Sequence, residues 1–346
     1  MAITTTILVT RLSALGDVAM TIPVMKQVLD ENPEVQIVFV TNKNWGALCA
    51  GIPRLVFFPA DVKGEHKGVP GLYRLFRSIS RQYRISAVAD LHNVLRSRIV
   101  RTFFRLTGKP VAVIDKGRAG KKALTRKENK VLAPQTSTIE RYALVFRQLG
   151  LRCTMGRQPV FAPQPLPERV SAITGVKAAQ RWIGLAPFAT YREKMYPLAK
   201  MEAVLADLVK EATYRVLLFG GGKNEVALLQ ELAARYPQAV VVAGRFSLEE
   251  ELALISQLDL MISMDSANMH LASLYGVPVV SVWGATHPYA GFMGYGQSED
   301  NVVQITDLSC RPCSVFGNKP CFRGDHACME WIKPAQIVEK VIRAIG

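Results

Sequence analysis

The chain has 346 residues, too long for one ordinary core and suited to two domains of about 150 residues each. Its 49% hydrophobic content fills two cores, while no run approaches the ~18 apolar residues of a membrane-spanning helix. The N-terminus lacks both the charged and the long apolar region of a secretory signal, so a cytoplasmic protein is expected. A net charge of +15 concerns partners rather than fold, and leaves nucleic acid, an anionic membrane surface and a phosphorylated substrate open.

Residues 6–10 (TILVT) read as a buried strand, followed by Arg11-Leu12-Ser13-Ala14-Leu15-Gly16-Asp17 and a helical pattern over 18–29. This is the first βα turn of a doubly wound sheet, a place where ligands bind. Asp17, at the start of the helix, is either a first-turn acid favoured by the helix dipole or a carboxylate free to accept a proton. Strands are expected at 35–41 and 55–58, with a helical turn at 45–49. A helix over 71–83 sets Arg74, Arg77, Arg81 and Arg84 along one side. The strand at 85–89 ends in Asp90-Leu91-His92-Asn93, then a helix bears Arg96, Arg98, Arg101 and Arg105. After a strand at 111–114 come Lys116, Arg118, Lys121, Lys122, Arg126, Lys127 and Lys130; with Gly117 and Gly120 among them, this segment reads as a mobile basic loop. An amphipathic helix over 137–149 closes a first domain of residues 1–153.

Residues 154–175 form an expected linker, stiffened by Pro159, Pro163, Pro165 and Pro167. A second series over 176–330 alternates strands (182–186, 215–219, 239–242, 260–263, 277–282) with helices (201–210, 225–236, 248–257 and about three turns after Ser266). A cysteine-rich loop, 310–328, precedes a terminal amphipathic helix within 331–346. The architecture expected is two doubly wound Rossmann-like α/β domains facing across a central cleft.

Four motifs of the second series lie at strand ends. Asp265 or Ser266 would cap the helix that follows, leaving its first amides facing an anionic phosphate, and Ser266 and Ala267 are small enough for close approach. His270 is a helix residue of the same stretch. The 186–197 loop carries the Thr190 hydroxyl and the cations Arg192 and Lys194, suited to a diphosphate. Gly220-Gly221-Gly222 is followed at once by Lys223 and by no Ser or Thr, which rejects a P-loop. Glu225 beyond it is either a first-turn acid or an acceptor for ribose hydroxyls, and Phe246 either a nucleobase contact or core. Cys310, Cys313, Cys321 and Cys328 read as a structural zinc site or as reduced thiols; only the first pair has C-x2-C spacing.

Taken in order, R-L-S-A-L-G-D-V (Arg11 to Val18), the loop ending in Lys194 before Tyr196-Pro197, D-S-A-N-M-H-L-A (Asp265 to Ala272) with V-P-V-V-S-V-W-G-A-T-H-P behind it, and the C-x-P-C tail resemble glycosyltransferase family 9, the ADP-heptose:lipopolysaccharide heptosyltransferases. The resemblance covers nearly the whole chain. It implies a GT-B fold and inverting transfer of heptose onto lipopolysaccharide inner core, with Asp17 as general base. Lys194 falls on the diphosphate lysine, Glu225 on the ribose acid and Phe246 on the adenine side. Thr190, Asp265, Ser266, Ala267, Asn268 and His270 complete the donor site; Ser266-Ala267 replaces a frequent Thr-Gly and keeps a hydroxyl and a small residue. The acceptor is expected beside Ser13, Gly16, Asp90, His92, Asn93, Arg96, Lys121 and Lys122. No cofactor beyond the donor is required. Partners expected are the nucleotide sugar, an anionic glycolipid and, through the basic residues, the inner face of the inner membrane. Rival readings are a family 9 transferase using another nucleotide sugar on an O-antigen or capsule glycan, an NAD-linked oxidoreductase, disfavoured by the lack of a glycine fingerprint after the first strand, and a nucleic-acid-binding module, for which no recognition motif is present.

Overall fold

The structure, a computed structural model, describes residues 3–345. Its contacts divide the chain into two compact units, the first comprising the chain up to Lys116 together with Thr136–Val160, the second Gly117–Gln135 together with everything from Phe161.

In the first unit β1 (Thr5–Thr10), β2 (Val35–Asn42), β3 (Leu55–Ala60), β4 (Ala87–Asp90) and β5 (Val111–Val113) form a parallel sheet in the order β3-β2-β1-β4-β5. Parallel strands covered on both faces read as continuous apolar runs, and Leu8, Val9, Val38 and Val88 have no exposed surface. Helices Gly68–Gln82 and Leu95–Leu106 pack on one side of this sheet through Leu72, Leu75, Phe76, Ile79, Val100 and Phe104.

The second unit holds β6 (Arg181–Ala186), β7 (Tyr214–Leu218), β8 (Val240–Val241), β9 (Leu260–Met264), β10 (Val279–Val282) and β11 (Val302–Val303), again parallel, in the order β11-β10-β9-β6-β7-β8. Helix Pro334–Ile345, whose packing the sequence leaves open, lies against helix Leu198–Leu208 and β9 to β11. Its Ile337 and Val341 are wholly buried, each such burial contributing about 1.5–3 kcal/mol.

Two expectations change. Residues 116–130 are not a mobile loop: Arg118–Leu124 is a helix started by Gly117 in the left-handed region (φ 60°). From Gly117 on, the segment belongs to the second unit rather than to a first domain of 1–153. Aromatic faces and carbonyls anchor its cations, with Lys121 Nζ 4.1 Å from the Phe292 ring centroid, Lys127 Nζ 4.8 Å from that of Phe322, and Lys130 Nζ donating to Pro312 O at 3.0 Å. Within the proline-rich linker, Glu168–Thr174 is a helix, since the last proline, Pro167, stands at its N-cap and Val170 is buried.

Candidate active site

Each sheet reverses its strand order once, the first between β1 and β4 and the second between β6 and β9. The loops leaving the carboxyl ends of strands at such a switch point diverge and leave room for a ligand. The two groups of polar side chains described below arise there.

In the first unit, Thr10 at the end of β1 lies beside Asp90 at the end of β4. Asp90 has no exposed surface. Its Oδ1 accepts from Thr10 Oγ1 (3.3 Å) and from the backbone amides of His92 (2.9 Å) and Asn93 (2.8 Å), while Oδ2 accepts from Arg101 Nη1 at 2.7 Å. So occupied and buried, Asp90 shapes the loop that follows β4. Asn93 is engaged as well: Oδ1 accepts from Arg98 and Arg101, and Nδ2 donates to Ile114 O. His92 is buried, with Nδ1 accepting from Leu12 N at 3.3 Å and Nε2 3.5 Å from Ser13 Oγ. Burial, reinforced by the Arg11 and Lys116 cations, lowers its pKa to about 3, so the ring is neutral at pH 7. Ser13 and Arg96 are exposed, and Gly16 is half-buried.

Asp17 is the third residue of helix Leu15–Ala19, with 30% of its side chain exposed. Its Oδ2 accepts from Ala14 N at 3.4 Å and is ion-paired with Arg11 Nη2. Arg11 is fixed in turn: it is 7% exposed, donates from Nη1 to Leu91 O at 3.0 Å, and lies 6.0 Å from the Tyr142 ring centroid. One carboxylate oxygen is therefore held. Among the described residues Oδ1 has no hydrogen-bond partner and stays available to a hydroxyl.

In the second unit, the β6 loop delivers Lys194 and the β9 loop delivers Asp265. Lys194 Nζ lies 3.0 Å from Asp265 Oδ2, and Thr286 Oγ1 donates to the same oxygen at 2.9 Å. Asp265 is 5% exposed and Thr286 fully buried. Helix Ala267–Leu274 is capped by Ser266 without a side-chain cap bond, since Ser266 Oγ is 3.1 Å from Ser263 Oγ. At two turns it is shorter than expected. Its first amides lack intrahelical partners and follow directly on Asp265, the residue paired with Lys194. Ala267 and Asn268 are half-buried and His270 is buried.

Thr286 was not among the expected site residues, although its signal is legible as a hydroxyl four residues beyond the buried β10. Arg311 had no such signal. It lies buried in the cysteine-rich loop and donates to Gly284 O (2.6 Å), Thr286 O (2.9 Å), Ile305 O (2.7 Å) and Gln304 Oε1 (2.9 Å), so fixing the backbone from which Thr286 reaches Asp265. Gly317 of the same loop (φ 73°) crosses the Lys194 stem so closely that a Cβ there would lie 2.3 Å from Lys194 Cγ.

The remaining expected residues are dispersed. Glu225 stands in the first turn of helix Lys223–Arg235, and its Oε2 accepts from Gly221 N at 2.7 Å, closing the glycine turn. Phe246 is half-buried after Gly244, and Thr190 is exposed. Lys121 and Lys122 sit on helix Arg118–Leu124 in the second unit, not in the unit of Asp17, and Lys121 is buried. The four loop cysteines are free thiols, and burial pushes Cys328 up to about 12. Among the described residues no three His, Cys, Asp or Glu side chains are placed to hold a metal ion.

A family model described as glycosyltransferase family 9 (heptosyltransferase) matches residues 72–319. The lipopolysaccharide core heptosyltransferase OpsX of Haemophilus influenzae is 22% identical over 312 residues, covering 85% of this chain and 83% of that protein. The crystal structure of the glycosyl transferase family 9 from Veillonella parvula aligns with a TM-score of 0.78 at 20% identity, over 99% of this chain and 97% of that one. The E. coli ADP-heptose lps heptosyltransferase II aligns with a TM-score of 0.68 at 20% identity, over 98% of each chain. Its two doubly wound units give this protein a GT-B fold, and the chain belongs to glycosyltransferase family 9, which makes it a glycosyltransferase.

Proposed function

We propose that the protein transfers heptose from ADP-heptose to the inner core of lipopolysaccharide with inversion, Asp17 acting as the general base. The observation that carries this reading is the Lys194–Asp265–Thr286 group at the switch point of the second sheet. A cation placed beside free helix amides is a site for a diphosphate, and the relatives bear the names of lipopolysaccharide heptosyltransferases. An ammonium has three donors; one is spent on Asp265, leaving two for phosphate oxygens. The same contacts stabilise the diphosphate as it departs, when its negative charge grows. Glu225 is proposed for the ribose hydroxyls and Phe246 for the adenine side, with Thr190, Ser266, Ala267, Asn268 and His270 completing the donor site.

Inverting transfer is a single displacement in which the acceptor oxygen bonds the anomeric carbon, the bond to the diphosphate breaks, and the acceptor proton passes to a base. The free Oδ1 of Asp17 is that base, and its held Oδ2 keeps it aimed. The exposed Ser13 and Arg96, with Gly16, are proposed to meet the acceptor; Asp90, His92 and Asn93 shape the loop behind them. Since the acceptor is an anionic glycolipid, the protein is proposed to work at the cytoplasmic face of the inner membrane. The test is mass spectrometry of truncated lipopolysaccharide acceptors incubated with a panel of nucleotide sugars. A mass gain of one heptose from ADP-heptose is expected; transfer of a different sugar, or onto no such acceptor, would overturn the assignment.

A further inference from the structure

In the first unit, residues 68–114 contain eight arginines and one lysine against a single acid, Asp90, which is buried and paired with Arg101. Part of this charge surrounds a pocket of about 480 Å³ at the C-terminal ends of helices Gly68–Gln82 and Leu95–Leu106. Its apolar wall is Phe76, Ile85 and Phe104, all buried, and its rim is Arg77, Arg81, Arg84 and Lys109. The three arginines are exposed, and among the described residues none of the four rim cations has a carboxylate partner. Leu106, which precedes the lining residue Thr107 in sequence, is 80% exposed.

This pocket is not the acceptor site. Ile85 precedes β4 and Lys109 precedes β5, so it opens at the amino edge of the sheet, whereas Asp17 and His92 stand at the carboxyl edge. The length of the strands separates the two, at about 3.3 Å per residue. The arginines of helix Gly68–Gln82 nearest its C-terminus therefore cannot steer the acceptor by touching it.

We propose that this pocket is a membrane-docking site that takes the phosphate headgroup of an anionic phospholipid, with Arg77, Arg81, Arg84 and Lys109 on the phosphate and the Phe76-Ile85-Phe104 wall, extended by Leu106, against the start of the acyl region. Unpaired cations in a local absence of acid supply the electrostatic half of such a contact, and each basic residue near an anionic surface raises binding roughly fivefold. The exposed leucine and aromatic wall supply the apolar half, which a free polyanion would leave unused. The proposal extends the reading of a membrane-bound acceptor, but its test contains no acceptor and no donor, so it fails or stands apart from transfer activity.

The experiment is sedimentation of the full chain with vesicles of phosphatidylcholine alone and of phosphatidylcholine containing phosphatidylglycerol, at low and high salt. Binding is expected only to the anionic vesicles and weakened by salt. Arg77→Glu, Arg81→Glu and Arg84→Glu combined should lower it by about a hundredfold or more. Arg157→Glu, Lys319→Glu and Lys333→Glu combined, an equal change of charge at exposed sites elsewhere, should lower it only severalfold. Should the first triple variant lose its cooperative melt, the single Arg81→Gln is read instead, with a severalfold loss expected. Equal losses from the two triple variants, equal binding to neutral vesicles, displacement by millimolar inorganic phosphate, or equally tight binding of duplex DNA through the same arginines would each overturn the proposal.

Discussion

The two switch points use opposite charges in the same way. By side-chain exposure, in the first unit the outer member of the ion pair is an anion, Asp17 at 30%, and the inner one is Arg11 at 9%; in the second the outer member is a cation, Lys194 at 15%, and the inner one is Asp265 at 7%. In both, the deeper partner is tied to a neighbouring loop, Arg11 to Leu91 O and Asp265 to Thr286, so the outer group is aimed before any ligand arrives. The difference matches the chemistry each edge is proposed to serve: one must take a proton, the other must hold an anion.

The most direct way to break this comparison is Asp17→Asn, which keeps shape and removes basicity. Turnover should fall about a thousandfold, in the usual range for loss of a general base, while ADP affinity measured by calorimetry stays within twofold. Substantial residual transfer would remove Asp17 from the role. Lys194→Ala should do the reverse, weakening ADP by about a hundredfold, roughly the worth of a charge-assisted contact to phosphate. Asp265→Asn should share much of that loss, and a double-mutant cycle with Lys194→Ala should be non-additive by about 1 kcal/mol or more; strict additivity would show the two acting separately.

Arg11 tests whether support and action are separable. Arg11→Met should cut kcat by about tenfold or more with little change in KM for donor, and Arg11→Lys should recover part of it, because orientation of a base is worth that order of rate. A loss confined to KM would mean that Arg11 meets a substrate instead. Gly317→Ala should be milder: the added methyl collides with the Lys194 stem and also strains a left-handed backbone, so ADP affinity should drop severalfold with turnover at saturation preserved.

The smallest effect concerns His92. Its folded-state pKa is about 3 against an ordinary 6.5, so below pH 6.5 the unfolded chain binds a proton that the folded chain refuses. Its contribution is fully present above pH 6.5 and is lost progressively as pH falls toward about 3. The melting temperature should therefore decline from pH 7 to pH 5, and His92→Gln should flatten that slope; an unaltered slope would assign the decline to other groups.

Much of the fold was legible because parallel strands buried on both faces announce themselves as apolar runs, and the order of strands and helices fixes a doubly wound plan. Asp17, Lys194 and Asp265 were legible for a related reason, since polar residues directly after such runs fall at the carboxyl edge of the sheet. What escaped was every relation between loops. Composition made 116–130 look mobile, yet Phe292 and Phe322, far along the chain, give its lysines faces to lie on. Asp90 and Asn93 read as polar groups at the sheet edge, and nothing in the sequence signalled that Arg101, on the following helix, hydrogen-bonds both.

By itself, then, the sequence determined two parallel α/β units, the elements that build them, and which charged residues stand at strand ends, because all of these follow from local periodicity and hydrophobic burial. Only the tertiary structure decided which of those residues are open to a ligand. Openness depends on whether a partner from a distant segment has already taken the side chain's hydrogen bonds, as Arg101 does for Asp90, as Thr286 does for one oxygen of Asp265, and as Arg11 does for Oδ2 but not Oδ1 of Asp17.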